Sequence, residues 1–537
     1  MLPVVLGLGT LSAQEPEAPP EAPHWQVLRG RPEAERLEGF RRLTENGSRR
    51  DVPILRDLLR FVDTADEWYR ILDAGTAILE RDMRAVQGPW RTLTLEMAAD
   101  PEWPMHDDYG AWKAELYAEL VDPRMRDFFD EVDRSRIRLH EIVWGGVEVD
   151  GIPSLDDPVT LPVDQASTMS DGEPVFGVSI AGEHRAYPLR ILDWHEMAND
   201  RLGGVAFALA YCTLCGAGIV YRTDVEGEGD SVRRFGSSGL LMRSNKLMFD
   251  RETRTLWNQF TGEPVLGPLV GRVEPLEVLP SVVTTWGEWR RMHPDTDVVS
   301  EETGVDREYE LGASYGFYFG SEGLMFPASG RSADRFPKER VFVLRSKSIV
   351  AVPIDRIRET GVLRIDVDGG PVTLLSTDQP RDAEVPSALR GLIESCPEHA
   401  SELSLDQLRS ALEADRSFVE SLDAEFLLSL PVAVRLPFLQ AATEPPSEGD
   451  PRLSEVLRNE VALRGLSGTV FAFRGEVELE RRIGSDGHAS FVDSEGEEFE
   501  VTAEALLGPG GERHERVPGH LAFRFGVEAF LPTAQWR

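Results

Sequence analysis

The run Val205-Ala206-Phe207-Ala208-Leu209-Ala210-Tyr211-Cys212-Thr213-Leu214-Cys215-Gly216-Ala217-Gly218-Ile219-Val220-Tyr221 decides the fold class. Val205 to Tyr211 is continuously apolar and carries Val, Phe and Tyr, the composition of a buried strand. Gly218 to Tyr221 reads as a second strand, so Cys212-Thr213-Leu214-Cys215-Gly216 lies at a strand end between the two. Upstream, Pro174 to Ile180 and His184 to Tyr187, separated by Gly182, read as a hairpin. Pro188 then opens a helical stretch through Leu192, His195 and Asn199, a place proline tolerates because a first-turn N–H has no partner to lose.

Further outward the character alternates. Residues 140–380 are rich in Gly, Pro and short β-prone runs, and residues 465–537 return to that pattern. Residues 25–130 read helical, with Leu37, Phe40 and Leu43, then Ile54, Leu55, Leu58, Leu59 and Val62 at helical spacing, but without a clean repeat period. Residues 386–445 form a second helical stretch through Leu403, Leu405, Leu408 and Leu412. The tail echoes the core: Phe249-Asp250-Arg251 followed by Leu266-Gly267-Pro268 compares with Phe491-Val492-Asp493 followed by Leu507-Gly508-Pro509. The expected fold is therefore α+β: a helical N-terminal domain, a β-rich central domain with a duplicated β unit, and a helical insertion between the copies.

Residues 1–13 are small and apolar and end in Leu11-Ser12-Ala13, which predicts a signal segment and export, although no basic residue precedes the apolar run. Residues 14–24, with Pro16-Glu17-Ala18-Pro19-Pro20, read as an extended linker. No later stretch reaches the roughly 18 apolar residues of a membrane span, so a soluble mature protein is expected. The 537 residues carry 93 acidic against 57 basic side chains, a net charge of -36. That field repels phosphate backbones and anionic lipid, so nucleic acid is not an expected partner; the helical segments offer surfaces for a protein partner. Only four of the basic residues are Lys, a bias that reads as genome composition.

Three cysteines are too few for a disulfide framework, and Cys396, alone in a helical pattern, reads as a buried small hydrophobe. Cys212 and Cys215 can close a small disulfide or share one metal ion, but a tetrahedral zinc site needs two more ligands than the pair supplies. The nearby candidates are His195, Glu196, Asn199 and Asp200. If the helix runs through Asn199, His195 and Asn199 share one face, and Glu196 and Asp200 the next. Packed back on the strand, that helix would bring His195 to the sulfurs. Two thiolates and one imidazole suit a copper or zinc ion, with Glu196 or Asp200 orienting the imidazole. The competing readings are a backbone-bonded histidine, acidic residues that cap a helix, and a structural cysteine pair. In thiol redox chemistry a thiolate attacks a disulfide or a peroxide, and it needs a depressed pKa. Gly216 to Tyr221 reads as strand, so no helix N-terminus supplies that depression.

These residues also carry a resemblance. Asp150-Gly151-Ile152-Pro153, Ala186-Tyr187-Pro188-Leu189, Trp194-His195-Glu196, Asn199-Asp200, Tyr211-Cys212 to Gly216, Phe235-Gly236-Ser237-Ser238-Gly239, Met248-Phe249-Asp250-Arg251, Leu256-Trp257-Asn258-Gln259 and His293-Pro294-Asp295-Thr296 resemble the domain of unknown function 3179 (DUF3179) family. The resemblance covers about 140–355 and, from about 465, the family's C-terminal part. It implies an exported or membrane-associated protein without assigning a reaction. Thr213 stands where the family usually has proline.

Other motifs carry less. Glu226 to Asp230 reads as a solvated hairpin tip without EF-hand spacing. Ser237 and Ser238 lack the strand–turn–helix setting of a nucleophile. Trp257 and Trp286 read as core. The leading functional expectation is an extracytoplasmic metal or thiol redox protein using Cys212, Cys215, His195 and Glu196, with Asn199 and Asp200 beside a cofactor. The alternatives are a non-catalytic binding or scaffold module and a hydrolase using Glu196 or Asp250.

Overall fold

The computed structural model describes residues 22–224, 232–309, 314–315, 318, 323–332, 335, 337–377, 469–485 and 488–537. The expected helical insertion at 386–445, Cys396, the acidic tip at 226–230 and the signal segment lie outside these residues. The chain divides into two compact units. The first comprises the described residues up to Leu93 together with Glu102–Leu120; the second comprises Thr94–Pro101 and Val121–Arg537.

The first unit is helical, as its periodicity indicates, with helices Glu33–Asn46, Val52–Leu58, Ala65–Leu79 and Tyr109–Leu120. Thr64 caps the third of these by accepting from the Glu67 N–H, and Ser48 with Asp51 forms a capping box ahead of the second. Phe40, Leu43, Ile54, Leu55 and Leu58 are buried, whereas Leu37 is exposed.

The second unit is built from strands, and its sheet order shows a duplication. In the first copy, strand Pro174–Ile180 lies between Ser281–Thr285 and Glu183–Pro188, antiparallel to both, and Glu183–Pro188 pairs in parallel with Asp297–Val299. In the second copy, strand Arg340–Arg345 lies between Gly519–Phe523 and Ile349–Pro353, again antiparallel to both, and Ile349–Pro353 pairs in parallel with Gln535–Trp536. Each central hairpin runs through a proline, Pro188 or Pro353, into a seven-residue helix, Leu189–His195 or Ile354–Thr360. Each helix stops at a left-handed residue, Glu196 (φ 54°) or Gly361 (φ 73°). A second hairpin follows, Met197–Leu202 with Val205–Cys212 or Val362–Val367 with Gly370–Ser376, and a third strand adds to it, Ala217–Arg222 or Val470–Arg474. The echoed sequences fall at matching places, at the ends of strands Asn245–Asp250 and Ala489–Val492 and of strands Pro264–Leu266 and Ala505–Leu507.

The copies differ most in one connection. In the first, Cys212 reaches Ala217 through a single tight turn. In the second, the corresponding strands end at Ser376 and begin at Val470, and the Thr377 N–H donates to the Thr469 carbonyl. The cysteine turn is thus the first copy's counterpart of the connection that leaves at Thr377 and returns at Thr469.

The central strands are buried on both faces, which is why Val205 to Tyr211 reads as a continuous apolar run rather than an alternation. Gly218 is required where it stands, because a Cβ there would sit 2.1 Å from the Phe176 ring. Trp257 and Trp286 belong to the core, and Trp257 Nε1 donates to Asp250 Oδ2 at 2.9 Å.

Candidate functional site

Strand Val205–Cys212 ends on Cys212, residues Thr213–Cys215 form one 3-10 turn, and Gly216 reverses the chain at φ 56°. A Cβ on Gly216 would lie 2.9 Å from the Phe523 ring, so position and conformation both call for glycine. Both thiols are free and buried, with Cys212 1% and Cys215 0% exposed. Cys215 Sγ lies 3.9 Å from the Cys212 carbonyl oxygen.

Polar side chains from a neighbouring sheet reach this turn. Asn245 Nδ2 donates to Cys215 Sγ at 3.0 Å and to Gln259 Oε1 at 2.7 Å. Gln259 Nε2 donates to the carbonyls of Ala210 (2.7 Å) and Ala217 (3.2 Å), tying together the two strands that flank the turn. Lys246 Nζ donates to the Glu196 carbonyl and lies 3.6 Å from Glu196 Oε2. Thr213 Oγ1 donates to Glu196 Oε1 at 3.2 Å. Glu196 and Lys246 are each less than 10% exposed.

The two sulfurs ionise unequally. Burial pushes the Cys212 thiol up, but hydrogen bonds from the Cys215 thiol and from the backbone N–H groups of Lys246 and Cys215 outweigh it and leave Cys212 below the ordinary range. Burial and donation to Cys212 push Cys215 well above that range. Burial also lowers Lys246, against the pull of Glu196 and the sulfurs.

His195 does not join this group. Its Nδ1 donates to the Pro153 carbonyl at 2.7 Å, which leaves Nε2 to accept from the Tyr309 hydroxyl at 2.6 Å. Burial lowers its pKa and keeps the ring neutral. The three-ligand centre of Cys212, Cys215 and His195 is therefore not assembled. The helix ends at His195 and Met197–Leu202 is a strand, so His195 and Asn199 do not share the helix face expected of them. Glu196, in the left-handed conformation between helix and strand, turns toward Thr213 and Lys246 instead.

Asn199 and Asp200 hold strands together. Asn199 Nδ2 donates to Asp156 Oδ1 and the Phe235 carbonyl, and its Oδ1 accepts from the Phe235 N–H at 2.9 Å. Asp200 accepts from the Tyr187 hydroxyl, from Arg185 Nη1 and from the Arg201 N–H. Asp250 accepts from Thr253 and Trp257 and is fully buried. Ser238 Oγ donates to the Leu247 carbonyl of the adjacent strand.

Sequence reasoning missed Lys246 and Asn245. The signal was present: of the four lysines in an arginine-dominated chain, Lys113, Lys246 and Lys338 are buried. It also missed Asp193, whose carboxyl is pushed up to about 7, mainly by burial and also by the nearby Glu196, while the neighbouring Tyr211 opposes the rise. Neither Asp193 Oδ1 nor the Tyr211 hydroxyl makes an aligned hydrogen bond. Between pH 3.8 and about 7 the folded chain holds a proton at Asp193 that the unfolded chain releases. Asp193 thus contributes stability that is fully present below 3.8 and declines as pH rises through 7. Asp193→Asn, which mimics the protonated acid, is expected to flatten that decline in denaturation midpoints measured from pH 4 to 8. An unchanged pH slope would refute the assignment.

Residues 149–391 match the family model described as a protein of unknown function, DUF3179. The chain carries a DUF3179 domain. The match takes in the cysteine turn, Glu196, Asn245, Lys246 and Gln259, together with the first hairpins of the second copy. No curated protein and no solved structure matches the chain. Among the described residues, no helix is long and apolar enough to cross a membrane.

Proposed function

We propose that this DUF3179 protein is an exported thiol redox protein whose working element is the Cys212/Cys215 pair, cycling between dithiol and disulfide. The observation that carries the reading is the closeness of the two buried free thiols in one turn. Two buried free thiols share one tight turn, with a side-chain amide donating to Cys215 Sγ and the Cys215 sulfur 3.9 Å from the Cys212 carbonyl oxygen. Burial of both sulfurs favours an oxidant as small as a hydroperoxide over a protein disulfide. The Cys212 thiolate attacks one peroxide oxygen and the O–O bond breaks. The departing alkoxide takes the proton that left Cys212, and Cys212 becomes a sulfenic acid. Cys215 then attacks the Cys212 sulfur; the S–S bond forms, and the expelled hydroxide takes the Cys215 proton as water. Two electrons pass from the sulfurs to the peroxide, which ends as alcohol and water. A dithiol reductant returns the pair.

A copper or zinc ion on the same sulfurs is the less favoured variant, because His195 is engaged by Pro153 and Tyr309. The binding or scaffold reading draws on the same burial, which also suits a structural pair. Export draws on the apolar start at residues 1–13, and fractionation of cells expressing the full chain tests it.

Hydrogen peroxide titration of the full chain decides between redox and scaffold. Loss of two thiols with a mass decrease of two hydrogens, reversed by a dithiol reductant, is expected. Cys212→Ser should abolish the loss, and Cys215→Ser should stop at a trappable sulfenic acid on Cys212. Thiols inert to peroxide in the folded chain would leave the scaffold reading standing.

A further inference from the structure

The helical unit holds a second group of donor atoms, remote in sequence from the cysteine turn. His24 lies in the short helix Pro23–Gln26, Asp51 ends the 3-10 turn Arg49–Asp51, and His106 precedes helix Tyr109–Leu120. One ligand atom from each lies within 4.8 Å of the other two. His24 and Asp51 are each 4% exposed, while the His106 side chain is 24% exposed, so the group is closed on one side and reachable on the other.

Each buried ligand is held from behind. His24 Nε2 lies 3.1 Å from both carboxylate oxygens of Asp108, which also accepts from Trp25 Nε1 at 2.6 Å. A carboxylate only accepts, so Nε2 carries the ring proton and Nδ1 is left as a bare lone pair. That Nδ1 is buried and makes no hydrogen bond. Trp112 Nε1 fixes the backbone beneath it by donating to the His24 carbonyl at 2.7 Å. Asp51 Oδ2 accepts from the Ser48 N–H (2.8 Å) and hydroxyl (3.2 Å), while Oδ1 faces His106 Nε2 at 2.8 Å. An imidazole whose far nitrogen donates to a carboxylate, and a carboxylate whose far oxygen is already bonded, is the arrangement that orients metal ligands. A buried lone pair without a proton partner otherwise costs free energy with no return.

We propose that His24, Asp51 and His106 form a binding site for a divalent metal ion of the zinc class. Two neutral imidazoles and one carboxylate, with a fourth position open toward solvent beside His106, match the nitrogen and oxygen preference of such an ion. Metal–ligand bonds of about 2.0–2.2 Å require the three donors to close in by roughly 1 Å. His106, stacked on His24 with ring centroids 4.2 Å apart and partly exposed, is the side chain free to tilt. The ion would replace the His106–Asp51 hydrogen bond and join three separate segments of the helical unit.

The test uses the full chain carrying Cys212→Ser, Cys215→Ser and Cys396→Ser, stripped with a chelator and titrated with zinc against a chromogenic chelator. One equivalent is expected to bind, and His106→Gln or Asp51→Asn should weaken it at least about 100-fold. Asp108→Asn, which reaches the three donors through His24, should weaken it about 10–100-fold. Circular dichroism of His106→Gln checks that the fold persists. If the serine variants do not fold, cobalt(II) bound to the unaltered chain gives the same answer. Visible ligand-field bands without sulfur-to-metal charge transfer, lost in His106→Gln, support the site. No saturable binding, binding indifferent to His106→Gln, or a sulfur charge-transfer band that persists in that variant would overturn it. Because the serine variants have no thiols, this outcome is separate from that of the redox proposal.

Discussion

Lys246→Met is expected to destabilise the full chain by about 3–5 kcal/mol at pH 7, the usual cost of removing one partner of a buried ion pair. Lys246 Nζ donates to the Glu196 carbonyl and sits 3.6 Å from its carboxylate. Methionine fills much the same volume, so the lost packing is small and the loss is electrostatic. Glu196 would keep the Thr213 hydroxyl, but its charge would remain buried without a cation. The same substitution withdraws positive charge from the neighbourhood of the Cys212 sulfur and should slow its reaction with peroxide. Denaturant unfolding of the single variants and of Lys246→Met with Glu196→Gln separates these effects. The double variant should recover a large part of the loss, because its buried carboxylate has become a neutral amide. A Lys246→Met chain within about 0.5 kcal/mol of wild type would show that the pair contributes nothing net.

Asp57→Ala should cost at least as much, again about 3–5 kcal/mol, through the helical unit. Asp57 Oδ1 lies 3.0 Å from Arg56 Nε, and Oδ2 accepts from Lys113 Nζ at 3.1 Å and from the Tyr109 hydroxyl at 2.6 Å. Arg56 and Lys113 are each 0% exposed. Lys113 is lowered to about 7, mainly by burial and also by Arg56, and Asp57 alone raises it. Without Asp57, two buried cations face each other and the ammonium loses its proton. The carboxylate joins helix Val52–Leu58 to helix Tyr109–Leu120, the elements that follow Asp51 and His106. Hydrogen exchange of the full chain should therefore show both helices losing protection together, and zinc affinity should fall with them. Unchanged protection in Tyr109–Leu120 would refute the cross-link.

Much of the fold was legible because its signals are local. Strands buried on both faces appear as apolar runs, Pro188 marks a helix start, and Gly182 marks a turn. The duplication was visible only as faint echoes at strand ends, since corresponding strands need similar burial and not similar side chains. The site was harder to read. Four-residue spacing between His195 and Asn199 fits a helix face, but a left-handed Glu196 ended the helix first and put the two on different elements. The composition that made lysine rare concealed the value of the few lysines present.

The chain by itself determined the α+β class, the placement of the cysteine turn between two buried strands, and the helical character of the first unit. These follow from the periodicity and backbone preferences of neighbouring residues. Tertiary structure alone decided what stands around the sulfurs: Asn245, Lys246 and Gln259 arrive from another sheet, and His195 is drawn away to Pro153 and Tyr309. It also brought His24, Asp51 and His106 to one point. Such groupings arise from long-range packing that buries polar atoms and forces each to find a partner, and sequence spacing carries no record of which partner that will be.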